Sequence, residues 1–389
     1  MSALDNPWHM LSAEESLFCD VLERLCADKI APLAARTDAE GTFVHEQLAT
    51  LAEAGMMGAN LPEDYEGSGV SAPALLRAVS IVAGACGSTA SALTAHYLAT
   101  DSILLGGTEA QKRAWLPKAA SGAALGAFAL TEPTAGSDPA DMKTRARRTD
   151  TGWHIKGTKC FISNGGVADF VVLYAVTDPD KGHRGISAFL LPKGTAGFEA
   201  GPAERTMGLR GGHVFTLNID VDLPEDALLG TEGAGFKTAM QVLDNGRIEV
   251  AAQCLGLANA AMKAAISYAK DRVIGGEPLT ERQGIRWMIA DMGVAWRSAL
   301  LLSLDAARQR DIAHATGGRF SLASATAKLV ASEAAGKIAD TALQLHGGYG
   351  YTADFPVERI TRDLRIMRIY EGSSEVQRII ISGQMLARA

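Results

Sequence analysis

A glutamate near the C-terminal end of the chain is the first candidate for chemistry. Glu371 lies between Tyr370 and Gly372 in the segment IYEGSSEVQR, directly after RDLRIMR and before a helical pattern. A glycine permits a close backbone approach, and a neighbouring aromatic ring can exclude water, which would raise the pKa of the carboxyl group and strengthen it as a base. Taken alone, the segment favours the alternative interpretation, a solvated or helix-capping glutamate.

Three further segments carry candidate ligand-binding residues. Small residues in LTEPTAGSD (130–138) would let backbone amides approach a flat ligand, although a turn between a helix and a strand explains them equally well. KCFISN (159–164) alone indicates an ordinary strand. In LDNGR (243–247), Asp244 and Arg247 have the spacing of a helix-surface ion pair, and the nearby Glu249 suggests only a structural role.

Several other kinds of site are poorly supported. GSGVSA (67–72) and GYGYTA (348–353) imitate a dinucleotide-binding motif, but neither follows a strand within a βαβ unit. The eight histidines show no metal-ligand spacing, so no metal site is expected, and His346 in QLHGGYG is the one to watch. A Walker A motif is absent from the sequence.

The composition indicates a globular protein in a reducing compartment. Hydrophobic residues make up 47% and charged residues 21%, and the net charge of -7 disfavours a nucleic-acid-binding protein. No apolar run approaches the roughly 20 residues of a membrane-spanning helix. The five cysteines form no CxxC pair and the N-terminal residues do not resemble a targeting segment, so we expect a cytoplasmic location, such as the bacterial cytosol.

The elements that must position these residues fall into three segments. Helical periodicity, opened by a Ser12 and Glu15 capping box and interrupted by Pro32, extends to about residue 120. Short β-branched runs with turns about every ten residues predict an antiparallel barrel or sandwich. Helices then follow at roughly 236–272, 280–310, 319–346 and 370–387. The expected fold is α+β and mainly α, with a helical domain (1–125), a β-barrel domain (126–232) and a four-helix bundle (233–389).

Together these motifs resemble the acyl-CoA dehydrogenase family. LTEPTAGSD, KCFISN, LDNGR, QLHGGYG and IYEGSSEVQR occur in the order seen in that family, and the resemblance runs over nearly the whole chain. It implies FAD between the β domain and the bundle, with an acyl thioester between the flavin and a catalytic carboxylate. Glu371 matches that carboxylate, whose backbone N–H would help to bind the enolate oxygen.

The resemblance also implies the roles of individual residues. The expected FAD contacts are Phe128, Leu130, Thr131, Gly136, Ser137, Phe161, Ile162, Ser163, Arg272, Gln283, Gln344, Gly347, Gly348, Ser373 and Glu375. The expected substrate contacts are Ser137, Asp244, Arg247 and Gly372.

Four positions distinguish this chain within the family. Phe161 and Ser163 replace the usual Trp and Thr that contact the isoalloxazine ring, and Gly275 stands where an aromatic residue is usual. Isovaleryl-type members carry their base at the position of Gly246, but a glycine cannot accept a proton. Glu371 is therefore the residue here that matches a family base position.

The resemblance implies α,β-dehydrogenation of a short or branched acyl-CoA, nearest to isobutyryl-CoA-type members, in fatty acid or branched-chain amino acid catabolism. An electron-transfer flavoprotein would be the electron acceptor, and the adenosine end of FAD would be held across a subunit interface, as in a homotetramer. Two alternatives stay open: an oxidase that uses oxygen directly, and a catalytically silent homologue retained as a binding or assembly component.

Overall fold

The computed structural model describes residues 8–387, in which helices precede and follow a strand-rich segment. This order confirms the mainly α, α+β fold class. The first segment contains α1 (Ala13–Leu25), α2 (Ala34–Glu40), α3 (His45–Glu53), α4 (Ala72–Ala85), α5 (Gly87–Gly106) and α6 (Glu109–Ala120).

Helix α1 begins with the predicted capping box. Ser12 Oγ accepts a hydrogen bond from the backbone N–H of Glu15 at 3.1 Å, and the Glu15 carboxylate accepts one from the backbone N–H of Ser12 at 2.9 Å. This pair satisfies two N–H groups that a helix start leaves unbonded. The helix ends in a wide turn at Cys26–Ile30, just before Pro32.

The strand-rich segment forms one seven-stranded sheet. Its strands are β1 (Gly126–Ala129), β2 (Arg145–Thr149), β3 (Gly152–Ser163), β4 (Phe170–Val176), β5 (Ile186–Pro192), β6 (Phe198–Ala200) and β7 (Val214–Pro224). Most neighbours are antiparallel, as predicted, but β4 lies parallel to β1 and briefly to β2. The β2–β3 hairpin and the loop before it separate β1 from β4, which gives the chain the length that a parallel connection needs.

After β7 the chain returns to helices. They are α7 (Gly235–Asp271), α8 (Gln283–Thr316), α9 (Ser321–His346), α10 (Pro356–Arg365) and α11 (Ser374–Leu386), with a small hairpin of β8 (Val273–Ile274) and β9 (Glu277–Pro278) between α7 and α8. Helix α10 was not predicted. The helix predicted from residue 370 begins only at Ser374, because Glu371 and Gly372 have positive φ angles. None of the helices within residues 8–387 is both long and apolar enough to cross a membrane.

Helix α5 joins the three segments. Nearly all of its residues are buried, because helices lie on one side of it and the sheet on another. One apolar core combines α1, α4 and α5 with the C-terminal helices, a second lies between α5, α6 and strands β4 and β5, and a third fills the sheet interior. Gly256 of α7 permits the close crossing with α4, since a Cβ there would lie 2.0 Å from the Ser80 carbonyl oxygen.

Candidate active site

A cavity of about 310 Å³ lies where α5, α7, the sheet and the segment before α11 meet. It brings together most of the residues that the sequence nominated near the flavin ring and the thioester. These are Phe128, Leu130, Thr131, Gly136, Ser137, Phe161, Ile162, Ser163, Arg247, Glu371 and Gly372, accompanied by Ala95, Leu98 and Met240.

The backbone at Glu371 has an unusual conformation. Glu371 has a φ of +52° and Gly372 one of +90°. Gln377 Nε2 donates to the carbonyl oxygens of Glu371 and Gly372 at 3.2 and 2.8 Å, and Lys328 Nζ donates to that of Gly372 at 2.7 Å. A glutamate whose backbone has the left-handed conformation is strained, and this conformation persists only where the surrounding structure imposes it. These bonds to α9 and α11 fix the turn that directs the carboxyl group into the cavity.

The wall beside Glu371 continues the same network. The Tyr370 hydroxyl donates to Gln253 Oε1 at 3.2 Å, and Gln253 Nε2 donates to Thr94 Oγ1 at 3.0 Å. These hydrogen bonds connect the segment before α11 to α7 and α5. Tyr370 therefore lies at the cavity wall, as the water-excluding role predicted from its sequence position requires.

The Glu371 carboxyl group is shielded from water on one side. Its Oε2 atom is buried and has no hydrogen-bond partner within residues 8–387. Burial raises the pKa of Glu371 to about 7, although the nearby Lys328 and Arg247 cations oppose the rise. A Cβ at position 246 would lie 2.2 Å from Oε2, so Gly246 provides the space that the carboxyl group fills.

A β-bulge shapes the opposite wall. The register between β3 and β7 shifts between Lys159 and Ile162, and Phe161 within the bulge has a φ of +57°. Cys160 N–H donates instead to the Thr131 carbonyl oxygen at 3.0 Å. A bulge redirects a side chain out of the regular alternation. Phe161 therefore lines the cavity with 68% of its surface exposed, which suits stacking against a flat ligand.

A buried ion pair holds the LTEPTAGSD segment against β3. Lys159 Nζ donates to Glu132 Oε1 at 2.8 Å and to the Leu130 carbonyl oxygen at 2.9 Å, and both charged side chains are almost completely buried. Glu132 also accepts from the backbone N–H of Thr144 at 3.0 Å. The pair thus fixes Leu130 and its neighbours at the cavity, a role that sequence reasoning did not assign.

Asp244 connects α7 to α9 and does not line the cavity. Its carboxylate forms an ion pair with Arg247 and accepts hydrogen bonds from the hydroxyl groups of Ser321 and Ser324. Arg247 itself is buried and reaches the cavity. Asp244 therefore orients Arg247, whereas direct contact of Asp244 with a substrate stays a prediction.

Five other nominated residues lie at or near a second cavity of about 560 Å³. Arg272, Gln344, Gly347 and Gly348 line it, and Gln283 begins the helix whose next turn contributes to the wall. His346 is stacked on Tyr268 and its Nδ1 lies 2.7 Å from the Ala342 carbonyl oxygen. Ser373 and Glu375 lie near the first cavity but do not line it. Ser373 caps α11, and Glu375 lies in the first turn of that helix.

Gly275, where the family usually has an aromatic residue, belongs to a tight hairpin. Gly275 and Gly276 have φ angles of +66° and +84° between strands β8 and β9. A two-residue hairpin loop of this kind requires positive φ at both positions, which glycine adopts without strain. The departure from the family pattern thus has a local structural reason.

Sequence reasoning missed the residues that support the site from behind. Glu132, Lys159 and Gln377 all lie inside the quoted motifs, so their motif membership was the available signal. Gln253 and Lys328 lie in ordinary helical patterns, and nothing local distinguishes them. Their roles depend on contacts between distant helices.

The two cavities fit the FAD expected from the resemblance. The first offers aromatic surface from Phe128 and Phe161 and hydroxyl groups from Thr131 and Ser163, which suit a ring system with polar edges. The second combines the guanidinium group of Arg272 with the glycine backbone of the QLHGGYG segment, a combination suited to phosphate groups.

Comparison with family descriptions gives three consecutive matches. Residues 12–123 match "Acyl-CoA dehydrogenase, N-terminal domain", residues 127–220 match "Acyl-CoA dehydrogenase, middle domain", and residues 233–386 match "Acyl-CoA dehydrogenase, C-terminal domain".

Two curated relatives are similar over nearly the full length. The acryloyl-CoA reductase (NADH) of Anaerotignum propionicum is 40% identical over 97% of this chain and 96% of its own. The short-chain-specific acyl-CoA dehydrogenase of Clostridium acetobutylicum is 40% identical over 96% of this chain and 98% of its own.

Two solved structures share the fold closely. Butyryl-CoA dehydrogenase from Megasphaera elsdenii has a TM-score of 0.93 and 39% identity, covering 97% of this chain and 99% of its own. A chain from a study of the electron transferring flavoprotein of Acidaminococcus fermentans and flavin-based electron bifurcation has a TM-score of 0.93 and 37% identity, covering 97% and 98%.

The Glu132–Lys159 pair gives a testable prediction about the cavity wall. Glu132→Gln leaves the buried Lys159 ammonium without its carboxylate, and we expect the free energy of unfolding in urea to fall by about 3–5 kcal/mol. Glu225→Gln is the matched control, because Glu225 pairs with Arg148 at an exposed position and its loss should change the unfolding midpoint far less. Equal effects of the two substitutions would contradict the role assigned to the buried pair.

Proposed function

The chain belongs to the acyl-CoA dehydrogenase family of FAD-dependent enzymes, and from this premise we propose that Glu371 is the base that removes the α-proton of a short-chain acyl-CoA. The product would be the 2-enoyl-CoA. One observation carries the proposal: a carboxyl group with a raised pKa lines the same cavity as Phe161 and Ser163, between the sheet and the helices. An ionised carboxylate in that position is suited to remove a proton from a substrate that lies beside the flavin ring.

The residues of the chain divide the work of the reaction. An α-proton of a thioester is weakly acidic, so its removal needs a poorly solvated base and stabilisation of the developing enolate oxygen. Glu371 provides the base, and its backbone N–H is proposed to donate to that oxygen. Lys328 and Arg247 keep enough positive potential nearby for the buried carboxyl group to ionise near neutral pH. Bound FAD supplies the acceptor for the hydride that leaves the β-carbon.

The acyl group is proposed to be short. Ala95, Leu98 and Met240 line the cavity, and its volume of about 310 Å³ lies at the small end of the range for ligand sites. The similarity to short-chain and butyryl-CoA enzymes supports butyryl-CoA as a substrate. Isobutyryl-CoA remains a proposed substrate, because GHRGIS and DNGRI resemble segments of branched-chain members.

We further propose that an electron-transfer flavoprotein receives the electrons. The similarity to a chain studied with such a flavoprotein supports this partner. The similarity to a reductase named for NADH raises the reverse reaction, reduction of an enoyl-CoA, as a second candidate. Assays with the flavoprotein, with NADH and with oxygen alone separate these possibilities, and hydrogen peroxide formation would indicate an oxidase.

A homotetramer is the proposed assembly, and an exposed apolar row on α8 supports self-association. Trp287, Val294 and Leu301 repeat every seven residues, and each is more than half exposed in the single chain. Such a row on one helix face is typical of an interface. The N-terminal turns of α8 also line the second cavity through Ile285 and Met288, so association through α8 would bring a second chain near a proposed cofactor site.

Glu371→Gln tests the base directly. The amide preserves the size of the side chain but cannot accept a proton, so we expect anaerobic flavin reduction by butyryl-CoA to slow by about 10²-fold or more. Acyl-CoA binding, measured by the change in the flavin spectrum, and flavin content should persist. A panel that includes isobutyryl-CoA and longer chains defines the substrate in the unmodified protein. Near-normal reduction by the Gln variant would show that another group is the base.

The pH dependence of flavin reduction follows from the same residue. Only ionised Glu371 accepts a proton, so the rate should rise with pH through about 7 and fall about tenfold per pH unit well below it. Lys328→Met removes a cation that favours ionisation, and the midpoint should therefore move to higher pH. Lys337→Met, at an exposed position of the same helix, is the control and should leave the midpoint unchanged. A profile that Lys328→Met does not shift would remove Lys328 from the mechanism.

A single charged substitution tests whether the apolar row on α8 is an interface between chains. We expect Val294→Glu to shift sedimentation towards smaller species and to reduce the flavin retained on purification, because a carboxylate in an apolar interface is strongly disfavoured. Leu17→Glu on α1 places the same charge at a similarly exposed leucine and should change neither property. An unchanged assembly in Val294→Glu would place the interface elsewhere.

A further inference from the structure

A group of buried polar side chains lies behind Glu371, between α5, α7 and α8. At its centre, Asp101 accepts hydrogen bonds from Asn60 Nδ2 and Asn245 Nδ2, each at 2.7 Å. Glu249 lies one helical turn after Asn245 on the same face of α7, and three residues after the Gly246 that abuts Glu371. The group therefore extends from the proposed base into the helical core.

This group contains buried polar atoms that find no hydrogen-bond partner within residues 8–387. They are Oδ1 of Asn60 and of Asn245, both carboxyl oxygens of Glu249, Nε of Arg310 and Oε2 of Glu371. Buried polar atoms are normally bonded, and an unpaired acid in a core lowers stability. Glu249 is 2% exposed, so packing alone would favour an apolar side chain at this position.

Burial is the main reason why Glu249 favours its uncharged form. Burial raises its pKa well above the ordinary value, Asp101 and Glu371 add to the rise, and Arg310 opposes it. Burial raises the pKa of Tyr97 on α5, and Glu249 and Asp101 add to that rise. The protonated form of Glu249 is therefore favoured, whereas Glu371 ionises at about pH 7. Acids that interact in this way titrate as a coupled pair.

We propose that Glu249 is a positioning residue that acts through Glu371. It carries towards Asp101 the proton that Glu371 takes from the substrate. This inference rests on the proposed function of Glu371. The protonated Glu371 gives its proton to Glu249, which releases its own proton to the Asp101 carboxylate, so Glu371 becomes ionised again and Asp101 becomes neutral. Each transfer requires a carboxyl group to rotate or a water molecule to bridge the two acids.

The route continues from Asp101 towards the surface of α8. Arg310 and His314 lie one turn apart on that helix, and the guanidinium group of Arg310 favours the ionised form of Asp101. Burial, together with Arg310, lowers the pKa of His314. His314 is exposed and can exchange protons with water. The proton would thus leave on the side of Glu371 opposite the substrate cavity. Glu371 could regain its charge while product still fills that cavity.

The experiment measures proton exchange separately from oxidation. The flavin-loaded protein is mixed anaerobically with butyryl-CoA in D2O, and the recovered butyryl-CoA is analysed by mass spectrometry for deuterium at the α-carbon. Reversal of the reaction returns to the substrate whichever isotope Glu371 carries. In the unmodified protein we expect deuterium to enter before product dissociates. We expect Glu249→Leu and Glu249→Gln to slow its entry by about tenfold or more, with flavin reduction changed by less than about threefold.

Further variants distinguish proton transfer from packing. Glu249→Asp retains an acid and should restore exchange in part, whereas Asp101→Asn should show the same defect as Glu249→Gln. The melting temperature of Glu249→Leu should equal or exceed that of the unmodified protein, because an unpaired buried acid is removed.

Two outcomes would overturn the inference: exchange at the normal rate in Glu249→Gln and Glu249→Leu, or parallel loss of exchange and flavin reduction in both variants. Absence of deuterium entry in the unmodified protein would also overturn it. If no acyl-CoA reduces the flavin of the unmodified protein, the proposed function itself is wrong, and that result is seen before any variant is compared.

Discussion

The site depends on one backbone turn, in which Glu371 and Gly372 have left-handed conformations. Lys328 and Gln377 bind the carbonyl oxygens of this turn, and Gly246 leaves the space that the carboxyl group fills. A glutamate inside α11 would have its side chain fixed by helical geometry. The strained turn instead lets a residue from the end of one helix face a cavity formed by the sheet and two other helices.

The cavity wall formed by the sheet also contains an irregular backbone segment that buried side chains hold in place. There the bulge in β3 redirects Phe161, and the buried Glu132–Lys159 pair holds the loop after β1 against that strand. Both walls therefore combine an irregular backbone with a buried hydrogen-bonded cation. A regular strand or helix satisfies its own backbone groups, but an irregular segment needs side chains to do so. This explains why Lys159 and Lys328, whose charges are costly to bury, lie directly behind the cavity.

The sequence was sufficient for the order of helices and strands and for many of the residues that line the first cavity. Periodicity predicted that the first 120 residues are helical and gave the bounds of the three long C-terminal helices to within about six residues, and motif resemblance nominated Glu371 and Phe161. It failed where structure depends on distant contacts: α11 begins at Ser374 because tertiary hydrogen bonds override the local helical pattern. Lys328 and Gln253 could not be identified, since their partners lie far away in sequence.

Glu249 shows why local sequence context can mislead about a role. As a residue of an amphipathic helix it has the properties of a surface glutamate, yet it is buried beside Asp101 and lacks a hydrogen-bond partner within residues 8–387. A core selected for stability alone would not place two acids together, because burial penalises both charges and Asp101 further raises the pKa of Glu249. Asp101 and Glu249 lie behind the turn that presents a third carboxyl group, that of Glu371, to the cavity. This position is explained better by a role in proton transfer than by packing. The physical cost of these acids is thus an argument about function, independent of the motifs that identify the family.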